Sequence, residues 1–98
     1  MEKRTPHCDL TTVRRLIAEG KVRATYTATT SAEALGLVPK DMVAVVVGLT
    51  SNDFYKSMTT YINDTVWQDV YRPRTRFGDL YLKLTVIHDV LIVSFKEL

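Results

Sequence analysis

A chain of 98 residues with 46% hydrophobic and 24% charged residues has the composition of an ordinary globular protein, and its length suits one domain, residues 1–98, around one core. The formal net charge of +2 excludes a polycation, and with Cys8 as the single cysteine neither an internal disulfide nor a cysteine-based zinc site can form. Met1 is followed by charged and polar residues, and the longest apolar run, Met42 to Val47, falls far short of the roughly 20 residues of a membrane span, so the expected location is the cytoplasm.

Leu10, Val13, Leu16 and Ile17 recur at helical spacing, with Asp9 able to cap the start and Gly20 to end it; a helix is predicted over Asp9–Glu19. Val22–Thr25 reads as a short strand, and Ser31–Leu35 as a short helix opened by Ser31 and closed by Gly36. Pro39–Leu49 stays open on its residues alone. Val43, Val45, Val46 and Val47 favour a buried strand, whereas Pro39 and Asp41 form a helix start that would set Met42, Val45, Val46 and Leu49 on one face.

The second half is strand-rich: Phe54–Tyr61, Val66–Arg72, Tyr81–Ile87 and a last strand from Val90. In the first hairpin, a loop of Asn63-Asp64 alone sets Lys56 and Gln68 on opposite faces. An odd loop, such as Asn63-Asp64-Thr65, pairs Thr60 with Gln68 and Lys56 with Arg72 on one face, and turns Tyr61, Trp67 and Tyr71 to the other. In the last hairpin a two-residue turn at His88-Asp89 pairs Ile87 with Val90, Val86 with Leu91, Leu84 with Val93 and Leu82 with Phe95. The opposite face then carries Thr85 with Ile92, Lys83 with Ser94 and Tyr81 with Lys96. Tyr81 and Lys83 are thereby expected to point away from the core.

Arg72, Arg74 and Arg76 gather in one loop beside Phe77, and Lys3, Arg4, Arg14, Arg15, Lys21 and Arg23 form a second basic region. Local basic patches on a chain of modest charge suit a face that binds a polyanion, and an arginine loop with an aromatic ring suits single-stranded nucleic acid. His7, in an N-terminal segment expected to be mobile, and His88, in a turn, are too far apart for a catalytic pair. The acidic residues show no metal-ligand spacing, and the glycines form no phosphate-cradling loop, so no metal and no cofactor is expected.

Three stretches carry a specific signal: Phe54-Tyr55-Lys56-Ser57-Met58-Thr59-Thr60-Tyr61, Trp67-Gln68-Asp69-Val70-Tyr71-Arg72-Pro73-Arg74, and Val86-Ile87-His88-Asp89-Val90-Leu91-Ile92-Val93-Ser94-Phe95-Lys96. With the opening Met1-Glu2-Lys3-Arg4-Thr5-Pro6-His7, they closely resemble the MqsR toxins, bacterial mRNA interferases of the RelE-like fold. The resemblance implies an α+β domain with helices packed on one face of a mainly antiparallel sheet, and a helix over Pro39–Leu49. It also implies a sequence-preferring endoribonuclease, most of all at GCU, and a cognate antitoxin of the MqsA kind, zinc-bearing with a helix-turn-helix domain, so that DNA is met only through the antitoxin.

The resemblance implies an active site of Lys56, Gln68 and Tyr81, with Arg72 in support and Met58 as a base-packing neighbour; that site requires the odd-loop register of the first hairpin. RNA can be cut without a metal when its own 2′-hydroxyl attacks the adjacent phosphorus. The reaction needs an acceptor for the hydroxyl proton, charge on the phosphate oxygens and a donor for the leaving 5′-oxygen. Lys56 can supply charge, and acid–base action only if a neighbour such as Arg72 depresses its pKa; Gln68 can fix the 2′-hydroxyl; Tyr81 can orient the phosphate or donate a proton. Arg72 suits bidentate phosphate contact, with Lys83, Arg74 and Arg76 as further RNA-binding cations. The competing reading is a non-catalytic RNA-binding or antitoxin-linked co-regulator module.

Overall fold

The computed structural model describes all 98 residues as α+β, with three helices on one face of a mixed, mostly antiparallel sheet. The strands are β1 (Glu2–Lys3), β2 (Val22–Ala24), β3 (Phe54–Thr59), β4 (Trp67–Tyr71), β5 (Arg74–Thr75), β6 (Gly78–Val86) and β7 (Val90–Glu97). The helices are α1 (Leu10–Ala18), α2 (Tyr26–Ala34) and α3 (Pro39–Val47). The sheet runs β1-β3-β4-β6-β7-β2, with β5 pairing β6 and with β2 parallel to β7. No helix is long and apolar enough to cross a membrane.

α1 forms as expected, with the Asp9 carboxylate accepting from Thr12 N–H. α2 is longer than its sequence suggests. It starts at Thr25, whose hydroxyl accepts from Ala28 N–H and donates to the Val93 carbonyl, so the helix leaves β2 without a loop. Threonines at 27, 29 and 30 depress helix propensity, but Ala28 and Ala32, fully buried one turn apart, let α2 lie close on the sheet. α3 resolves the open segment as a helix: Met42, Val45, Val46 and Leu49 are buried, and the Asp41 carboxylate accepts from Val38 N–H.

The core lies between these helices and one sheet face, on which Tyr71, Leu80, Leu82, Leu84, Val90, Ile92 and Phe95 are buried. Two bulges shape the sheet. Near the hairpin tip, Leu84 faces Ile92 and Val86 faces Val90, while Lys83 still faces Ser94. Val93 is therefore an extra residue, and the turn is Ile87-His88-Asp89 rather than two residues. This corrects the expected pairs nearest the turn. The pairs Leu82–Phe95, Lys83–Ser94 and Tyr81–Lys96 form as expected. The second bulge, between Phe54 and Lys56, puts Tyr55 out of alternation.

The β3–β4 register also needs correction. Lys56 faces Val70 and Met58 faces Gln68, two residues from the expected pairs of Lys56 with Arg72 and Thr60 with Gln68. The loop is Tyr61–Thr65, closed by Thr60 N–H on the Val66 carbonyl, with Asn63 Oδ1 accepting from Thr65. It is longer than expected but still odd, so Lys56 and Gln68 do share a face. Tyr61 is not in the core; it is fully exposed at the loop tip.

The N-terminal segment is not loose. β1 pairs with β3, and the buried Asp69 carboxylate accepts from His7 N–H (2.9 Å) and Cys8 N–H (3.0 Å). The His7 ring stacks on Trp67. The second basic region disperses into structural contacts. Arg14 caps the Val47 and Leu49 carbonyls, Arg15 and Lys21 pair with Glu19, Arg23 pairs with Asp89, and Lys3 lies over Trp67.

Candidate active site

Alternation along β3, β4, β6 and β7 turns one set of side chains away from the helices. The cross-strand partners arrange these in three rows. In the first, Glu2 faces Met58, and Met58 faces Gln68. In the second, Lys56 faces Val70, Val70 faces Lys83, and Lys83 faces Ser94. In the third, Tyr81 faces Lys96. Arg72 also belongs to the third row. Tyr71 faces Leu82 and Leu80 N–H donates to the Pro73 carbonyl, so Arg72 between them falls opposite Tyr81. Successive rows are about 7 Å apart, two residues along a strand.

Lys56, Gln68 and Tyr81 are thus on one face but in three different rows. Gln68 and Tyr81 are separated by about 13 Å along the strands, spanned by the cationic middle row. There Val70 is wholly buried between Lys56 and Lys83, an apolar floor flanked by two ammonium groups. Met58 lies beside Gln68 and is half-buried, with its thioether side chain on this face.

Lys56 Nζ donates to Glu2 Oε1 at 2.6 Å. The hydrogen bond and charge of Glu2 hold the lysine pKa above its ordinary value, and the same contact holds the Glu2 carboxyl below its own. The condition set for acid–base action by Lys56, a pKa depressed by a neighbour such as Arg72, is therefore not met. Lys56 is a fixed cation at neutral pH.

The arginines divide. Arg72 lies with its guanidinium 4.7 Å from the centre of the Tyr55 ring, which Lys56 Nζ approaches at 5.5 Å and the Arg4 guanidinium at 5.8 Å. Arg72 N–H donates to the Asp53 carbonyl at 2.7 Å, which fixes the backbone beneath it. Arg74, opposite Asp79 in the β5–β6 hairpin, joins Arg72 and Tyr55 around a depression of about 330 Å³. Arg76 sits elsewhere: it lies over Phe77 and lines a different depression with Ala44, Val45 and Gly48 of the α3 end. Phe77 itself packs against the core rather than standing free for a base.

Two residues join the face that the sequence did not mark for it, beside a third that it did. Tyr55 arrives through the bulge, which no local pattern announces. Glu2 arrives through an edge strand of two residues. Lys96 was legible: its register with Tyr81 follows from the hairpin, and its Nζ lies 5.2 Å from the Tyr81 ring centre, with Lys83 at 5.9 Å. Neither histidine belongs to the rows. His7 is on the Trp67 side, and His88 lies at the hairpin tip in a depression with Arg23, Thr85 and Asp89.

Residues 5–97 match the family model described as "Motility quorum-sensing regulator, toxin of MqsA". The chain is also 60% identical, over 97 residues covering 99% of each chain, to the mRNA interferase toxin MqsR of Escherichia coli (strain K12).

Proposed function

This chain belongs to the MqsR toxin family, and from that membership we propose that it is an mRNA interferase, the endoribonuclease toxin of a toxin–antitoxin pair. The observation that carries the reading is a single sheet face with Gln68, the cations Lys56 and Lys83, and Tyr81 in successive rows. RNA cleavage by 2′-hydroxyl attack is an in-line displacement, so the attacking oxygen, the phosphorus and the leaving oxygen lie nearly on one line. A face that orders an amide, a pair of ammonium groups and a phenol along one direction matches that line.

On this reading the scissile phosphate sits over Val70. Lys56 and Lys83 bind its non-bridging oxygens and offset the charge that grows there during attack. Gln68 orients the 2′-hydroxyl and Met58 packs against the neighbouring base. At the other end Tyr81, flanked by Lys96 and opposite Arg72, donates to the leaving 5′-oxygen. Arg72 and Arg74 hold a flanking phosphate, with Arg76 a more distant electrostatic contributor. The products are a 2′,3′-cyclic phosphate and a 5′-hydroxyl, formed without a metal. Preference for GCU, action in the cytoplasm as a single domain, and neutralisation by a zinc-bearing MqsA-like antitoxin complete the proposal.

The test is cleavage of a defined single-stranded RNA containing GCU by purified protein in excess EDTA, with end-group analysis. A 2′,3′-cyclic phosphate end is expected. Intact RNA, from protein that is folded and antitoxin-free, would overturn independent metal-free cleavage and favour the binding module.

A further inference from the structure

We propose that Glu2 is the general base of the reaction, taking the proton from the attacking 2′-hydroxyl; this rests on the ribonuclease reading above. Of the three groups that the reaction needs, the acceptor for that proton has no obvious owner among Lys56, Gln68 and Tyr81. Lys56 is a fixed cation with no lone pair to offer at neutral pH, and a carboxamide is not a base. Tyr81 lies two rows from Gln68, at the leaving-group end.

The remaining acceptors separate by position. Asp69 is on the helix side of the sheet, and its two oxygens are taken by His7 and Cys8 N–H. Asp79 is opposite Arg74 in the far hairpin, and Asp53 caps Thr50. Glu2 alone is a carboxylate in the rows. It faces Met58 in the row of Gln68, and its Oε1 holds Lys56 Nζ at 2.6 Å. It is half exposed, so substrate can reach it.

The order of the rows then gains a chemical sense. Glu2 and Gln68 occupy one end, Lys56 the middle and Tyr81 the other end, which is the order of base, phosphate and acid in an in-line displacement. The 2′-hydroxyl proton passes to a Glu2 oxygen as the 2′-oxygen bonds to phosphorus. The bond from phosphorus to the 5′-oxygen breaks, and that oxygen takes a proton from the Tyr81 phenol. Glu2 then gives its proton to water, and the Tyr81 phenolate takes one from water, which restores both groups. Lys56 touches both the base and the phosphate, so it keeps the carboxylate ionised and in place while neutralising the anion. The charges facing Glu2 are Lys56 of β3, Arg4 of its own segment and the N-terminal ammonium, all positive.

The test compares the parent with Glu2→Gln, Glu2→Asp and Glu2→Ala on RNA containing GCU, under single turnover. Binding is measured on the same RNA with a 2′-deoxy residue at the cleavage site. Glu2→Gln is expected to cleave at least about 100-fold more slowly while binding the deoxy RNA as tightly as the parent or more tightly, since a negative charge near the phosphate is gone. Glu2→Asp is expected to retain part of the rate. Added formate and acetate are expected to restore cleavage by Glu2→Ala, acetate more than formate in keeping with its greater basicity. A Glu2→Gln rate within a few-fold of the parent would overturn the proposal. So would loss of deoxy-RNA binding in proportion to rate, which is the signature of a residue that only anchors Lys56. Failure of the parent to cleave would instead overturn the ribonuclease reading.

Discussion

The guanidinium of Arg72 lies 4.7 Å from the centre of the Tyr55 ring, and Tyr55 is there only because a bulge displaces it from the alternation of β3. An aromatic face that holds an arginine also limits where that arginine can point. Tyr55→Ala should therefore weaken RNA binding by about two- to thirtyfold, while Tyr55→Phe, which keeps the ring, should bind as the parent does. Titration of a labelled 2′-deoxy-substituted RNA at fixed salt measures both.

Lys56 sets the charge of the middle row. Its ordinary pKa of 10.5 is raised by the Glu2 hydrogen bond, so it stays protonated throughout the working range and should add no limb to the pH–rate profile between pH 6 and 9. The stabilisation from this raised pKa is complete below the unfolded value of 10.5 and is lost as pH rises through the folded one. On the acid side the depressed Glu2 pKa contributes above its ordinary value of 4.5 and is lost as pH falls through the lower folded one. Lys56→Ala should slow cleavage by about 100-fold or more. Lys56→His should create a new limb, with cleavage falling as pH rises past about 6.5. Rates measured across pH 5.5 to 9 decide it.

Asp69 should matter for stability more than for chemistry. Its carboxylate accepts from two backbone N–H groups of the N-terminal segment and is buried. Asp69→Ala leaves both donors without that partner and should cost about 2–3 kcal/mol. It should also raise amide exchange at His7 and Cys8, and slow cleavage through loss of Glu2. Denaturant unfolding together with hydrogen exchange separates the two effects.

Tyr71 offers the opposite case. Its hydroxyl is buried in the core without a hydrogen-bond partner, and burial pushes its pKa up, with the charge of Asp69 adding to the effect. Removing an unsatisfied polar atom while keeping the ring should help. Tyr71→Phe is expected to raise stability by about 1 kcal/mol, read as an increase of several degrees in Tm for a domain of this size. A fall in Tm would show that the hydroxyl has a partner, such as ordered water.

Periodicity made much of this fold readable. The register of Tyr81 with Lys96 was reached through a two-residue turn with apolar pairs on one face, and it holds because the Val93 bulge offsets the three-residue turn that forms instead. The parity that unites Lys56 with Gln68 was one of two left open by the residues; the structure has the odd loop that the implied site requires, two residues longer than expected. What escaped was non-local. The bulges at Tyr55 and Val93 answer to the twist of a whole sheet, and the two residues of β1 have no pattern of their own. The first part of α2, Tyr26 to Thr30, was hidden because its threonines favour strand, and packing of Ala28 and Ala32 decides for helix. The site was readable to the same extent. Residues on long strands were placed on the right face, whereas Arg76 and Phe77, on a short hairpin, turn toward α3 and the core.

Strand β7 is the last to be synthesised, yet it lies inside the sheet between β6 and β2, pairing Val22 with Val90 across most of the chain. Such distant partners make for slow folding. A growing polypeptide that has reached β6 has neither Lys96 beside Tyr81 nor a partner for the edges of β2 and β6. The face that carries Tyr81 is therefore completed only once β7 has joined the sheet, so its assembly waits on the strand that enters last.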